Sequence, residues 1–255
     1  MDDNAQLING VRYLSPRDNS FSTSYVELRK KEGRLLSDEE VSILPDTDIT
    51  NPNRNEWVLR KRTTLRFIRY LKAKGRSLSV LDVGCGNGWF SHKMASASKG
   101  ISVVGLDINE MELEQAVRVF NSHNIEFVYG DLFEIGDIFY DRFDIITLNA
   151  SVQYFKDLDK LFGLLKRFLR SKGEIHIIDS PFYKYSNIDA AKERTQDYYT
   201  KMGVPEMGVH YFHHSHDCVN EFKVMYRPPA KIIRRVFRLV DSPFLWLRYI
   251  DQDNS

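Results

Sequence analysis

"SVLDVGCGNGWFS", residues 79–91, decides how the chain reads. An apolar run closes on an acid, Asp82, and glycine then takes every second position, at Gly84, Gly86 and Gly88. Glycine lets a strand turn tightly into a helix and lets a ligand lie against bare backbone at the helix N-terminus. A dinucleotide loop needs G-x-G-x-x-G, but Trp89 stands at its third glycine position. The Gly-Lys-Ser/Thr that ends a P-loop is absent, and no Lys or Arg within the loop could meet a phosphate. The ligand expected there is uncharged or cationic.

Around this loop, short β-rich runs alternate with helical ones: "SVLDV", a helix from Gly88, "ISVVGLD", a helix from Asn109, "IEFVYGD", "FDIITLN", a helix from Asp157, then "GEIHIID". Such alternation predicts an α/β fold, a mostly parallel sheet with helices on both faces. Leu113, Ala116, Val117 and Phe120 form one helical stripe, and Leu158, Leu161, Phe162, Leu165, Phe168 and Leu169 another. In such a sheet ligands bind at the carboxyl ends of the strands, where the strand order reverses. That gathers the loop from Asp82 to Gly88, Asp107, Asp131 and Asn149 around one cleft. Asp107 follows the loop by about twenty residues, the spacing at which a carboxylate accepts both hydroxyls of a ribose. Asp131 can accept from an exocyclic amine, and Asp82 can favour an ammonium or sulfonium.

A nucleoside with a positive charge and an amino-acid tail satisfies all three acids, and here the chain resembles the class I S-adenosylmethionine-dependent methyltransferases over roughly residues 55–180. The resemblance implies a Rossmann-like sheet whose last two strands form an antiparallel edge pair. "EFKVMY" and "PFLWLRYI" fit that pair, joined by a helix from Lys231 to Val240. It also implies S-adenosylmethionine as cofactor. "LDVGCGNG", with Asp82, Gly84, Cys85, Gly86 and Gly88, would cradle the methionine part; Asp107, beside Ile108, would bind the ribose. Asp131 and Leu132 would contact adenine, and Asn149 with Ala150 would lie beside the methionyl group.

The acceptor is less marked. "LNASVQYF" lacks the Asn/Asp-Pro-Pro-Tyr/Phe of enzymes that methylate exocyclic amines of bases or protein amides, and neither cysteine sits in a Pro-Cys pair. The leading expectation is methyl transfer to a small molecule by in-line displacement. Tyr154, just past the fourth strand, and His213 or His214 of "VHYFHHSHDC" are the candidate catalytic residues. His210, His213, His214 and His216 crowd together without a distant second cluster, so no metal site is expected. The runners-up are an RNA or protein methyltransferase using the basic amphipathic helix at 55–72, in which Val58, Leu65, Ile68 and Leu71 recur at helical spacing, and a non-catalytic domain that binds the cofactor.

Composition sets the bounds. The 255 residues are 42% hydrophobic, enough for a full core, and the formal charge of +1 provides no global field for nucleic acid or an anionic membrane. Cys85 and Cys218 read as free thiols. The opening "MDDNAQLINGVRY" has neither a basic nor an apolar leader region, and no run of ~18 apolar residues occurs, which predicts no membrane insertion and a cytoplasmic protein. No stable nucleic-acid partner is expected. Residues 1–54 read as an irregular N-terminal addition, helical around "SDEEVSIL", that lids the acceptor. Residues 55–255 read as the methyltransferase domain, with 181–220 covering the acceptor side.

Overall fold

The computed structural model describes residues 6–17, 19–230 and 240–251. In chain order the elements are β1 (Gln6–Ile8), β2 (Val11–Tyr13), α1 (Asn19–Lys31), α2 (Asp38–Ile43), α3 (Arg54–Ala73), β3 (Leu78–Val83), α4 (Trp89–Ala95), β4 (Ile101–Asp107), α5 (Glu110–Val119), β5 (Ile125–Tyr129), β6 (Phe143–Asn149), α6 (Leu158–Phe168), β7 (Leu169–Ile178), α7 (Ile188–Lys201), β8 (Lys223–Tyr226) and β9 (Trp246–Ile250). The described strands form one sheet in the order β1-β2-β5-β4-β3-β6-β7-β9-β8. Strands β3 to β7 pair in parallel, whereas β9 is antiparallel to both β7 and β8, so the expected edge pair is present. The helix expected from Lys231 to Val240 falls, apart from its last residue, outside the described residues.

The continuous apolar runs of the strands follow from burial on both faces. In β3, Val80 packs toward Phe67, Phe90 and Met94, while Leu81 and Val83 pack toward Leu161, Leu165 and Phe168 of α6. β4 and β6 repeat the split, Val103 and Ile145 on one side, Val104 with Leu106 and Ile146 with Leu148 on the other. Each such side chain contributes about 1.5–3 kcal/mol by leaving water. The chain runs from β3 outward through β4 and β5, then returns to β6 on the other side of β3. The crevice therefore opens at the carboxyl ends of β3 and β6.

The described residues before α3 form more regular structure than their polar composition implies. β1 and β2 form a hairpin across Asn9 and Gly10, whose φ values of 50° and 81° suit a two-residue turn, and β2 extends the sheet beside β5. Tyr13 stacks on Tyr129 with ring centroids 4.9 Å apart and donates to Glu110 at 2.6 Å. The Asn-Gly pair between apolar residues was the available signal for this hairpin. Ser37 caps α2 as its sequence predicts, the Glu40 carboxylate returning to the Ser37 N–H at 2.8 Å. In α3 the buried stripe is Trp57, Thr64, Phe67 and Leu71, and Leu65 of the expected stripe is 46% exposed. Leu169, placed by its spacing on α6, instead begins β7.

Candidate active site

Glycine is required in the loop after β3 for two different reasons. A Cβ on Gly84 (φ 74°) would lie 2.6 Å from the Ser151 Cβ, whose hydroxyl donates to the Val83 carbonyl at 2.7 Å and so holds the loops after β3 and β6 together. A Cβ on Gly88 (φ 74°) would lie 2.5 Å from Phe127 and 2.8 Å from Ala116, so here the chain packs against β5 and α5. The other residues expected at the cofactor line one cavity of about 430 Å³: Asp82, Gly84, Cys85, Gly86, Asp107, Ile108, Asp131, Leu132, Asn149 and Ala150; Gly88 does not. Cys85 and Cys218 are free thiols.

The acids are held in place by local bonds. Asp107, at the end of β4, accepts from the Gly86 N–H at 2.7 Å and from the Ile108 and Asn109 N–H groups at 2.8 and 2.9 Å. Burial raises its pKa although these N–H groups pull the other way. Asp82 accepts from Ser91 at 2.6 Å and Thr147 at 2.7 Å, and burial pushes its carboxyl up to about 6 against those bonds. Asp131 accepts from the Phe133 N–H at 2.8 Å, which fixes its turn. Asn149 leaves its Oδ1 buried without a partner, an acceptor toward the cleft.

The sequence reading missed Glu112. Asn109 caps α5 through the Glu112 N–H at 3.2 Å, but the Glu112 side chain turns into the cavity and its Oε2 lies 3.1 Å from where a Cβ on Gly86 would sit. Burial, opposed by Arg29 and reinforced by Asp107, raises its pKa to about 7.

The opposite wall comes from residues far earlier in the chain: Tyr25 and Arg29 of α1, Arg34 and Leu36 beyond it, and Trp57 and Arg60 of α3. Tyr25 and Leu28 pack on Tyr199, Val204 and Met207, so the 181–220 segment braces α1 more than it lines the cavity. Tyr154 stands edge-on to Tyr25 and to Tyr211, each at 6.0 Å, and burial holds its phenol above the ordinary value. Glu56 binds Arg34 at 3.1 and 2.6 Å and Arg60 at 2.9 Å; these guanidiniums overcome its burial and hold it at about 2.

The expected histidines lie elsewhere. His213 Nε2 is 2.8 Å from the Thr195 hydroxyl, and burial, with the Val152 and Phe155 backbone acting against it, lowers the pKa of His214; neither lines the cavity, whose histidine is His210. No group of three or more His, Cys, Asp or Glu among the described residues converges as metal ligands.

A mostly parallel sheet with its crevice at the β3/β6 reversal, a glycine loop after β3, and acids at or after the ends of β4 and β5 are the features of a nucleoside-binding α/β enzyme. Residues 74–238 match the family described as a methyltransferase domain, and the chain belongs to it, as a class I S-adenosylmethionine-dependent methyltransferase. It is 32% identical over 110 residues to the malonyl-[acyl-carrier protein] O-methyltransferase of Acetivibrio thermocellus, covering 43% of this chain and 38% of that one. It is 28% identical over 141 residues to the ribosomal RNA small subunit methyltransferase C of Buchnera aphidicola, covering 52% and 40%. The chain thus spans about two fifths of the length of these curated relatives. Magnesium protoporphyrin IX methyltransferase from Synechocystis PCC 6803, solved with bound S-adenosylhomocysteine, shares the fold at a TM-score of 0.55 and 17% identity, over 92% of this chain and 98% of that one.

The cofactor, S-adenosylmethionine, fits the residues present. Asp82, Asp107, Asp131 and Glu112 offer acceptors for hydroxyls, an amine and a cation, the loop carries no phosphate-binding cation, and the Asn149 Oδ1 needs a donor. Among the described residues no helix is long and apolar enough to cross a membrane.

Proposed function

We propose that this chain methylates a small molecule held between the glycine loop and α1. The observation that carries the reading is the wall of Tyr25, Arg29, Trp57 and Tyr154, which closes one cavity together with the cofactor residues instead of leaving them on an open surface. S-adenosylmethionine, when bound, supplies a methyl group on a sulfonium that a nucleophile displaces in line. The protein's share is to orient and to keep water out. Asp82 and Asp107 hold the cofactor end. Tyr154, kept protonated by burial, orients the acceptor by donating a hydrogen bond, and His210 accepts a proton where the acceptor must lose one.

The basic helix supports this reading over RNA. Arg60 pairs with Glu56, Lys61 with Asp46 and Arg66 with Asp241 at 2.9 Å, so part of its charge is spent within the molecule. The test is transfer of isotope-labelled methyl from S-adenosylmethionine to fractionated extract. Label in the small-molecule fraction is the expected result. Label confined to RNA or protein would reverse the assignment, and binding of NAD without S-adenosylhomocysteine would remove the cofactor.

A further inference from the structure

Asp107, the acid placed at the ribose by its spacing, is largely committed to its own loop. Its Oδ1 accepts from the Ile108 and Asn109 N–H groups and its Oδ2 from the Gly86 N–H, so three bonds are already made. An ionised carboxylate has about four lone-pair sites, which leaves Asp107 about one. A ribose presents two vicinal hydroxyls, and the second needs another acceptor.

Glu112 stands beside Asp107 with its own oxygens uncommitted. Asn109 accepts from the Glu112 N–H at 3.2 Å and so fixes the first turn of α5, from which the Glu112 side chain reaches back over the glycine loop. Its Oε2 lies 3.1 Å from where a Cβ on Gly86 would sit, and the N–H of that same glycine bonds Asp107 at 2.7 Å. The two carboxylates therefore flank one glycine, and both line the cavity. The other glutamates of α5 are used within the fold: Glu110 accepts from Tyr13 at 2.6 Å and pairs with Arg17 at 2.8 Å, and Glu114 accepts from Asn9 at 2.7 Å. Among the described residues nothing donates a hydrogen bond to the Glu112 carboxylate, on which Arg29 and Asp107 act only through space. A carboxylate enclosed without a donor is costly unless a ligand supplies one.

We propose that the two ribose hydroxyls of the cofactor are divided between two carboxylates, one donating to Asp107 and the other to Glu112. The N-terminal turn of α5 is then part of the ribose site together with the end of β4. A phosphate on either hydroxyl would face two acids, so the pair also selects an unphosphorylated ribose. The inference concerns the cofactor alone and holds for any methyl acceptor.

Calorimetry on the full chain compares S-adenosylhomocysteine with its 2′-deoxy and 3′-deoxy analogues in the parent, Glu112→Leu and Glu112→Gln. In the parent each analogue is expected to bind about tenfold or more weaker than S-adenosylhomocysteine, the scale of one hydrogen bond to a charged group. In Glu112→Leu, S-adenosylhomocysteine itself weakens about tenfold, one analogue loses its penalty and binds equally well, and the other keeps its penalty through Asp107. Glu112→Gln retains an acceptor oxygen and recovers part of the loss. A role in packing or charge balance alone would weaken all three ligands alike and preserve both penalties. That result, or a Glu112→Leu variant that holds S-adenosylhomocysteine within about twofold of the parent, overturns the proposal. Loss of both penalties overturns it as well, because Glu112 would then serve both hydroxyls. A parent that binds no S-adenosylhomocysteine removes the cavity as the cofactor site, and the proposal falls with it.

Discussion

Asp82 and Glu112 face the same cleft and titrate near about 6 and about 7, well above ordinary carboxylates, because burial disfavours their charge. Around Asp82 stand the hydroxyls of Ser91 and Thr147 and the carboxyl of Asp107; around Glu112 stand Arg29 and Asp107. A ligand ammonium favours both ionised forms, so binding releases protons. Affinity for S-adenosylhomocysteine is therefore expected to rise with pH through the window from roughly 5 to 8 and then level. Calorimetry across that range checks it, and Asp82→Asn should flatten the lower part. In the ligand-free protein the sign is opposite: a raised acid adds stability below its unfolded pKa and loses that contribution as pH climbs through the folded value. Asp107→Ala removes the acceptor for three loop N–H groups and is expected to weaken S-adenosylhomocysteine by about 1–3 kcal/mol with the fold retained. The glycine loop and these acids were legible in the sequence because each sits at a strand end, where spacing alone sets its place. Glu112 was not, since its capping position accounts for its backbone and says nothing of where the carboxylate goes.

At the scale of elements, β7, β9 and α3 meet through His176, which is fully buried. Trp246 donates to its Nδ1 at 3.0 Å, so the proton is on Nε2, 3.1 Å from Glu174. Glu174 also accepts from Tyr70 at 2.6 Å and Lys74 at 2.8 Å, and these partners overcome its burial and hold it at about 2. Burial lowers the pKa of His176, with Glu174 opposing. An imidazole with a depressed folded pKa takes up its proton more readily in the unfolded chain, so stability is expected to fall as pH drops below about 6.5, and chemical denaturation of His176→Gln beside the parent isolates that part. Trp246→Phe leaves the buried Nδ1 without its donor and is expected to cost about 1–3 kcal/mol. On the other side, Met207 is fully buried beneath α1. Met207→Ala should loosen the roof at a local cost of about 2–5 kcal/mol, reducing acceptor turnover more than cofactor affinity. The helices behind the cleft could be read from their 3.6-residue stripes. The roof could not: Tyr25, Arg29, Trp57 and Met207 share no period, and only the folded chain brings them together.

For the molecule as a whole, the cavity is divided by origin, one side from the carboxyl ends of β3 to β6 and most of the other from α1 and α3, which lie between β2 and β3 in the chain. Because a ligand that binds only the folded chain stabilises it by mass action, S-adenosylhomocysteine at a hundred times its dissociation constant should stabilise the fold by about 2.7 kcal/mol, a rise of roughly 5–10 °C in a thermal melt. Removing residues 1–14 should lower the melting temperature and promote aggregation, since β5 would become an exposed edge and Val11 and Tyr13 would leave the core. Strand order also bears on synthesis. β9 is the final strand, yet it lies between β7 and β8, and Trp246 within it completes the bonding of His176. A ribosome must therefore deliver β9 before the sheet can close, and until then β7 and β8 wait unjoined. Translation pauses between β8 and β9 would prolong the time during which nascent chains need a chaperone.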